Sequence, residues 1–249
     1  MDRDETREKD RLFRDLPMGP GGFDFGPATA RVFDDMLARS VPCYDEIQRM
    51  VAEIAGDFAA PGSTVYDLGC ATCSAFLSLD RTLPGDVRLV GIDASPAMLE
   101  KGRARLQAAG FSRPHELRCH DLNQAFPLLD ASVVIMNLTL QFIRPLHRQA
   151  VIRRIAAGLR EGGCLILVEK VLSPHSLLNN LFSKYHYAFK RRNGYDELEI
   201  TRKREALENV LIPYHARENE TLLLSNGFAC CESFFRWYNF CGWLAVKES

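Results

Sequence analysis

The segment Val65-Tyr66-Asp67-Leu68-Gly69-Cys70-Ala71, followed by Val90-Gly91-Ile92-Asp93-Ala94-Ser95-Pro96, constrains the fold most tightly. An apolar strand enters a small-residue turn, and a second apolar strand then ends in an acid. In a doubly wound α/β sheet the turn lets the backbone approach a ligand, and the second acid can accept from both hydroxyls of a ribose. The pairing therefore predicts a nucleoside pocket.

The turn also says what kind of nucleoside. A pyrophosphate turn reads G-x-G-x-x-G, because a diphosphate lies against backbone N–H groups at a helix N-terminus. Here Gly69 is the only glycine between residues 65 and 74. An acid two residues before it, Asp67, matches the turn of class I methyltransferases, whose ligand S-adenosylmethionine has no phosphate to cradle. A Rossmann-like fold of that class is expected, with a mostly parallel seven-stranded sheet, a C-terminal antiparallel hairpin and a helical insertion.

Apolar periodicity fills in the order. Residues Ala28 to Phe58 read as two helices interrupted at Pro42. Strands are expected at 64–68, 88–93, 115–119, 131–137 and 163–169, with helices near 74–80, 96–109 and 146–159. A charged helical segment spans about 174–226, with a solvated lid as its simplest reading, and residues 228–247 read as two strands turning at Tyr238-Asn239. Residues 1–22, charged and then rich in Gly and Pro, are expected to form a flexible tail, with a single domain over 23–249.

Composition removes several function classes. The net charge of -1 gives no electrostatic footprint for nucleic acid. The charged start, Met1 to Asp10, is unlike a signal peptide, and no apolar run reaches the roughly 18 residues of a membrane helix, so a cytoplasmic protein is expected. Cys70 and Cys73 form a C-x-x-C, but no second pair stands at zinc spacing and no metal is expected. A redox role for this pair is the sharper alternative to plain packing.

Two further positions carry chemistry. Asp121 with Leu122 follows the third strand, where a carboxylate can accept an adenine amine; the alternative is a loop acid capping Asn123. Asn137 ends an apolar strand at the ligand edge of the sheet, and needs either a ligand or a loop carbonyl as partner. In the insertion, Lys190-Arg191-Arg192 and Lys203-Arg204 gather positive charge, either as a solvated face or as a carboxylate grip. Periodicity does not choose the arginine, and the six histidines show no spacing to each other that suggests a site.

These segments, together with Arg39-Ser40-Val41-Pro42-Cys43-Tyr44, Asn137-Leu138-Thr139-Leu140-Gln141-Phe142, Glu169-Lys170 and Asn193-Gly194-Tyr195-Asp196-Glu197-Leu198-Glu199-Ile200, resemble the carboxy-S-adenosyl-L-methionine synthase family from about Phe23 onward. The resemblance implies transfer of a carboxyl group from prephenate to the methyl carbon of S-adenosylmethionine, with phenylpyruvate as coproduct. The sulfonium acidifies the methyl protons, and aromatisation of prephenate supplies the driving force and the carbon dioxide. A separate tRNA carboxymethyltransferase then uses the carboxylated product at the wobble uridine, so this chain need not hold tRNA.

By motif, the resemblance implies cofactor contacts from Tyr44, Gly69, Cys70, Ala71, Asp93, Ala94, Ser95, Asp121, Leu122 and Asn137. It gives Arg204 the carboxylate and a place across a homodimer interface. The turn departs from the family pattern at Thr72, Cys73 and Ser74; a Cβ at Cys73 is strained if that position needs positive φ. The alternatives are an ordinary S-adenosylmethionine-dependent methyltransferase and a non-catalytic binding protein of the same fold.

Overall fold

The computed structural model describes residues 8–15 and 21–248. Its centre is a sheet in the order β3-β2-β1-β4-β5-β8-β7. The strands are β1 (Thr64–Leu68), β2 (Arg88–Asp93), β3 (His115–Cys119), β4 (Ala131–Asn137), β5 (Leu159–Leu172), β7 (Cys230–Trp237) and β8 (Phe240–Val246). The first five run parallel, and β8 pairs antiparallel with both β5 and β7. An eighth strand, β6 (Tyr214–His215), pairs with Val171 and Leu172 of β5, which continues beyond its pairing with the end of β4. The sequence reading of seven strands misses this one because two residues carry no period.

The central strands are apolar on both faces because helices cover both faces. In β4, Val134 and Met136 enter one core, with Ile152 and Ile155 of α6 (Pro145–Gly158) and Leu223 of α9 (Ala216–Leu224). Val133 and Ile135 enter the other, with Ile47 and Val51 of α3 (Tyr44–Phe58) and Phe76 of α4 (Ser74–Leu79). Each such fully buried side chain contributes about 1.5–3 kcal/mol. Trp243, wholly buried in the first core, keeps its indole N–H satisfied by Glu220 at 3.1 Å.

Three further helices roof the ligand edge of the sheet. They are α2 (Pro27–Ser40), α7 (Ser176–Arg192) and α8 (Glu197–Ala206), the last two lying within the anticipated insertion. A full capping box at Asp196 and Glu199 fixes the start of α8. Asp34 of α2 accepts from Thr72 at 2.8 Å and pairs with Arg105 of α5 (Pro96–Ala108), so the roof is tied to the turn after β1.

The chain start departs from the expected flexible tail. Residues 1–7 and 16–20 lie outside the described residues, but α1 (Leu12–Asp15) is packed, with Leu12 and Phe13 buried against Phe23, Met36 and Ala206. Asp10 is buried too, and accepts from the Leu12 N–H and the Tyr195 hydroxyl. Gly21 and Phe23 donate backbone hydrogen bonds to Glu205 and Ala206 of α8. The polar composition concealed this because its partners lie far along the chain.

The concern over Cys73 resolves in the packing. Position 73 does take positive φ, at 56°, and the chain accepts that cost with a cysteine. Its side chain is fully buried and turns toward α5, where Gly102 makes the space: a Cβ on Gly102 would stand 2.6 Å from Cys73 Sγ. Gly102→Ala is therefore expected to cost about 1–3 kcal/mol by overpacking. Adding Cys73→Ala should recover much of that loss, a non-additivity readable in urea unfolding of the two single variants and the double variant.

Candidate active site

A cavity of ≈370 Å³ opens at the carboxyl edge of β1, β2 and β4, beneath α2, α7 and α8. This is the edge at which ligands bind in open α/β sheets. Its floor is the turn after β1. Gly69 has φ +82°, and a Cβ there would come within 2.9 Å of Thr139 Cβ, so the backbone lies close against the loop after β4. Ala71, Cys73 and Leu138 also hold positive φ near this floor. Strain of this kind, about 1–3 kcal/mol per residue, collects where a ligand surface must be held.

Asp93 orders the turn. One of its oxygens accepts from the Ala71 N–H at 2.9 Å and the other from the Ser95 N–H at 2.8 Å. Each oxygen keeps a lone pair for a ligand hydroxyl. Asp67 faces the same space with no side-chain hydrogen bond among the described residues. Burial, then the neighbouring Asp93 charge, push its carboxyl up to about 7; burial raises Asp93 as well, against its two backbone hydrogen bonds. Two carboxyl groups that resist ionisation at one end of a cavity favour a cationic ligand.

Beside them, the Tyr44 hydroxyl meets Ser74 Oγ at 3.1 Å and accepts from Gln48 Nε2 at 2.7 Å. Gln48 Oε1 and Asn137 Oδ1 are buried polar atoms without a partner among the described residues. An orphaned acceptor costs about 1–3 kcal/mol, and both residues line the cavity. For Asn137 the acceptor Oδ1 has no partner among the described residues, so a donor on a ligand could pair with it.

Glu169 holds the far floor. It is buried at the end of β5 and accepts from the Leu140 and Gln141 N–H groups, each at 2.8 Å. Burial raises its carboxyl to about 8, offset in part by those hydrogen bonds and by Arg148. It thereby fixes the 3-10 turn Leu140–Phe142, which carries Phe142 against Phe25 in an edge-to-face pair at 5.0 Å.

Most of the anticipated residues meet here. Tyr44, Gly69, Cys70, Ala71, Asp93, Ala94, Asp121, Leu122 and Asn137 all line the cavity. Ser95 does not: its hydroxyl donates to the Phe25 carbonyl at 2.5 Å and accepts from the Met98 N–H, capping α5. Asp121 lies at the rim with Oδ1 turned onto Asn123 N and Nδ2, as a loop acid would be. Arg204 is exposed on the outer side of α8 and is no part of the cavity that its own chain lines.

Four further residues were given no cavity role by the sequence reading. Lys170, His186, Lys190 and Lys203 line the same cavity as Asp67 and Asp93. Lys190 and Lys203 stood in the basic runs of the insertion and Lys170 in the Glu169-Lys170 segment, but the sequence directed attention to the arginines. Phe25 and Phe142 are likewise cavity residues that nothing but the fold brings together.

This floor, acid pair and sheet order define a class I methyltransferase-type fold. Residues 65–163 match the methyltransferase domain family, and the chain superposes on an S-adenosyl-L-methionine-dependent methyltransferase from Methanococcus maripaludis with a TM-score of 0.62 at 18% identity, covering 93% of this chain and 97% of that one. An O-methyltransferase family protein from Burkholderia thailandensis gives 0.64 at 15% identity, over 89% of this chain and 60% of that one. Those identities speak for the fold alone.

The sequence relatives are far nearer. The carboxy-S-adenosyl-L-methionine synthase of Methylococcus capsulatus is 51% identical over 99% of this chain and 100% of its own length. That of Desulfotalea psychrophila is 45% identical over 97% and 98%. The chain belongs to the carboxy-S-adenosyl-L-methionine synthase family.

A pH dependence follows from Asp67. Its free carboxyl titrates at about 7, and a bound sulfonium or ammonium favours the ionised form, so the bound pKa is lower. Affinity for S-adenosylmethionine should rise with pH up to 7 and level off above it, losing up to about tenfold per unit below. Calorimetric titration across that range checks this, and Asp67→Asn should flatten the slope.

Proposed function

We propose that this chain transfers the carboxyl group of prephenate to the methyl carbon of S-adenosyl-L-methionine, giving carboxy-S-adenosyl-L-methionine, phenylpyruvate and water. The observation that carries the reading is the charge of the cavity lining: Asp67 and Asp93 by the nucleoside turn, and three lysines, Lys170, Lys190 and Lys203, from β5, α7 and α8. The cofactor brings one carboxylate of its own, and three lysines exceed what that single group needs. This cavity is built for a cation and an anion together.

The chemistry balances without a protein base. The ring–carboxyl bond of prephenate breaks as its hydroxyl leaves and the ring becomes aromatic, the leaving oxygen takes one methyl proton to form water, and the freed carboxyl carbon joins the methyl carbon. What remains for the protein is placement and dryness. Asp93 would hold the ribose, Leu122 and the Asp121 loop the base, and Asn137 and Gln48 the polar groups their free acceptors call for. Tyr44, held by Ser74 and Gln48, closes the methionine side.

Arg204 enters this reading from a second copy. Exposed on α8, it is free to reach a neighbouring subunit, so we take the working form as a homodimer in the cytoplasm. The product would be consumed by a tRNA carboxymethyltransferase acting on wobble uridine. The near-balanced charge of this chain suits a partner that never binds the nucleic acid.

Two experiments test the proposal. Mass spectrometry of the small molecules after incubation with S-adenosylmethionine and prephenate should show a species heavier than S-adenosylmethionine by a carboxyl-for-hydrogen exchange, with equimolar phenylpyruvate. Methylated acceptors without prephenate consumption would instead make it an ordinary methyltransferase, and neither product a binding protein. Second, Arg204→Ala and Asp93→Asn variants, each inactive alone, should regain part of their activity when mixed and allowed to exchange subunits. No recovery would put Arg204 in its own subunit's chemistry or in none.

A further inference from the structure

Three lysines converge on one wall of the cavity from three separate elements. Lys170 comes from the end of β5, Lys190 from the last turn of α7 and Lys203 from the last turn of α8. His186, one turn before Lys190, lines the same wall and has its Nε2 2.9 Å from the Ser40 carbonyl oxygen, positioned to donate to it. Lys203 Nζ donates to Ser40 Oγ at 2.8 Å. Among the described residues Lys170 and Lys190 have neither an ion pair nor a side-chain hydrogen bond.

The wall is short of negative charge. Asp10, 3.8 Å from Lys203, is the one acid paired with any of the three among the described residues, and its oxygens already accept from Leu12 N–H and the Tyr195 hydroxyl. When all are protonated, three ammonium groups against one carboxylate leave an excess of two positive charges. Burying unpaired cations is costly, and a fold that does so at a cavity wall holds them for an anion. Burial and mutual repulsion push Lys190 well down, and burial lowers Lys203 to about 8, so an arriving anion would relieve both.

We propose that Lys170, Lys190 and Lys203 form the subsite that receives the carboxylates of the dianionic carboxyl donor, with Lys190 as its main unshared contact. This rests on the carboxyl-transfer reading above. The cofactor's own amino-acid carboxylate, or the new carboxylate of the product, presents the same chemistry. The excess charge matches a dicarboxylate better than either single group. The roof helices α7 and α8 that the sequence presents as a solvated lid would thus supply substrate selection, while the sheet supplies the nucleoside site.

The test uses the full-length protein with Lys190→Met and Lys170→Met, which keep the length of the side chain and remove the charge. Five quantities are read: kcat and KM for prephenate, the Kd of phenylpyruvate for protein loaded with S-adenosylmethionine, and the Kd values of S-adenosylmethionine and of the carboxylated product. The prephenate KM and the phenylpyruvate Kd should each rise about 10- to 100-fold, the loss of a charge-assisted hydrogen bond, with the other two affinities nearly unchanged. Thermal stability should hold or rise, because a buried polar group without a partner among the described residues has been removed.

An unchanged phenylpyruvate Kd overturns the subsite. So does a parallel loss of S-adenosylmethionine or product affinity, which would give the lysines to those carboxylates. A lowered melting temperature with unaltered binding would leave them a structural role and also overturn it. If the wild type binds phenylpyruvate through Lys190 yet releases none from prephenate, the carboxyl-transfer reading fails while the anion subsite stands.

Discussion

The carboxylate of Asp93 is the constraint on which the site depends. By accepting from Ala71 N–H on one oxygen and Ser95 N–H on the other, it joins the turn after β1 to the start of α5. That junction fixes a turn with one glycine and two left-handed non-glycine residues, Ala71 and Cys73, a conformation that costs energy at each and that the surroundings must over-determine. Thr72 carries the same restraint upward through Asp34 to the roof helix α2. The floor and the roof helix α2 are therefore set in one arrangement.

The cavity built on that junction is divided by charge. Asp67 and Asp93 hold one end, both with carboxyls raised by burial, and the lysines of β5, α7 and α8 hold the other. Each end is unfavourable alone and each is relieved by a ligand of opposite sign, so the two ends favour simultaneous occupancy by a cation and an anion. Glu169 sits between these roles. It is spent on the backbone of residues 140 and 141, and its neighbour Lys170 is thereby presented to the cavity from a fixed strand end.

Much of this was legible from residue order. Apolar runs placed β1, β2 and β4 at their observed bounds, because strands buried on both faces have little freedom of register, and the half-exposed edge strand β3 was placed by its spacing from them. The Asp67-Leu68-Gly69 turn and Asp93 located the nucleoside end, and the terminal hairpin turned at Tyr238-Asn239 as read. What escaped depends on contacts distant in sequence. The Asp10–Tyr195 hydrogen bond spans 185 positions, and no local signal marks a polar start as packed. Lys203 and Arg204 are adjacent on α8, one buried and one exposed, and only the docking of the helix decides between them. Ser95 shows a local demand instead: a serine before a proline-led helix is first of all a cap, and its hydroxyl is taken up there.

The most direct test of the divided cavity is a crystal structure of the protein with S-adenosylmethionine and phenylpyruvate bound together. The account predicts the ribose on Asp93, the positively charged end of the cofactor toward Asp67, and the phenylpyruvate carboxylate within hydrogen-bond reach of Lys190 or Lys170. A phenylpyruvate carboxylate seated elsewhere, with the cofactor's own carboxylate on the lysines, would contradict it.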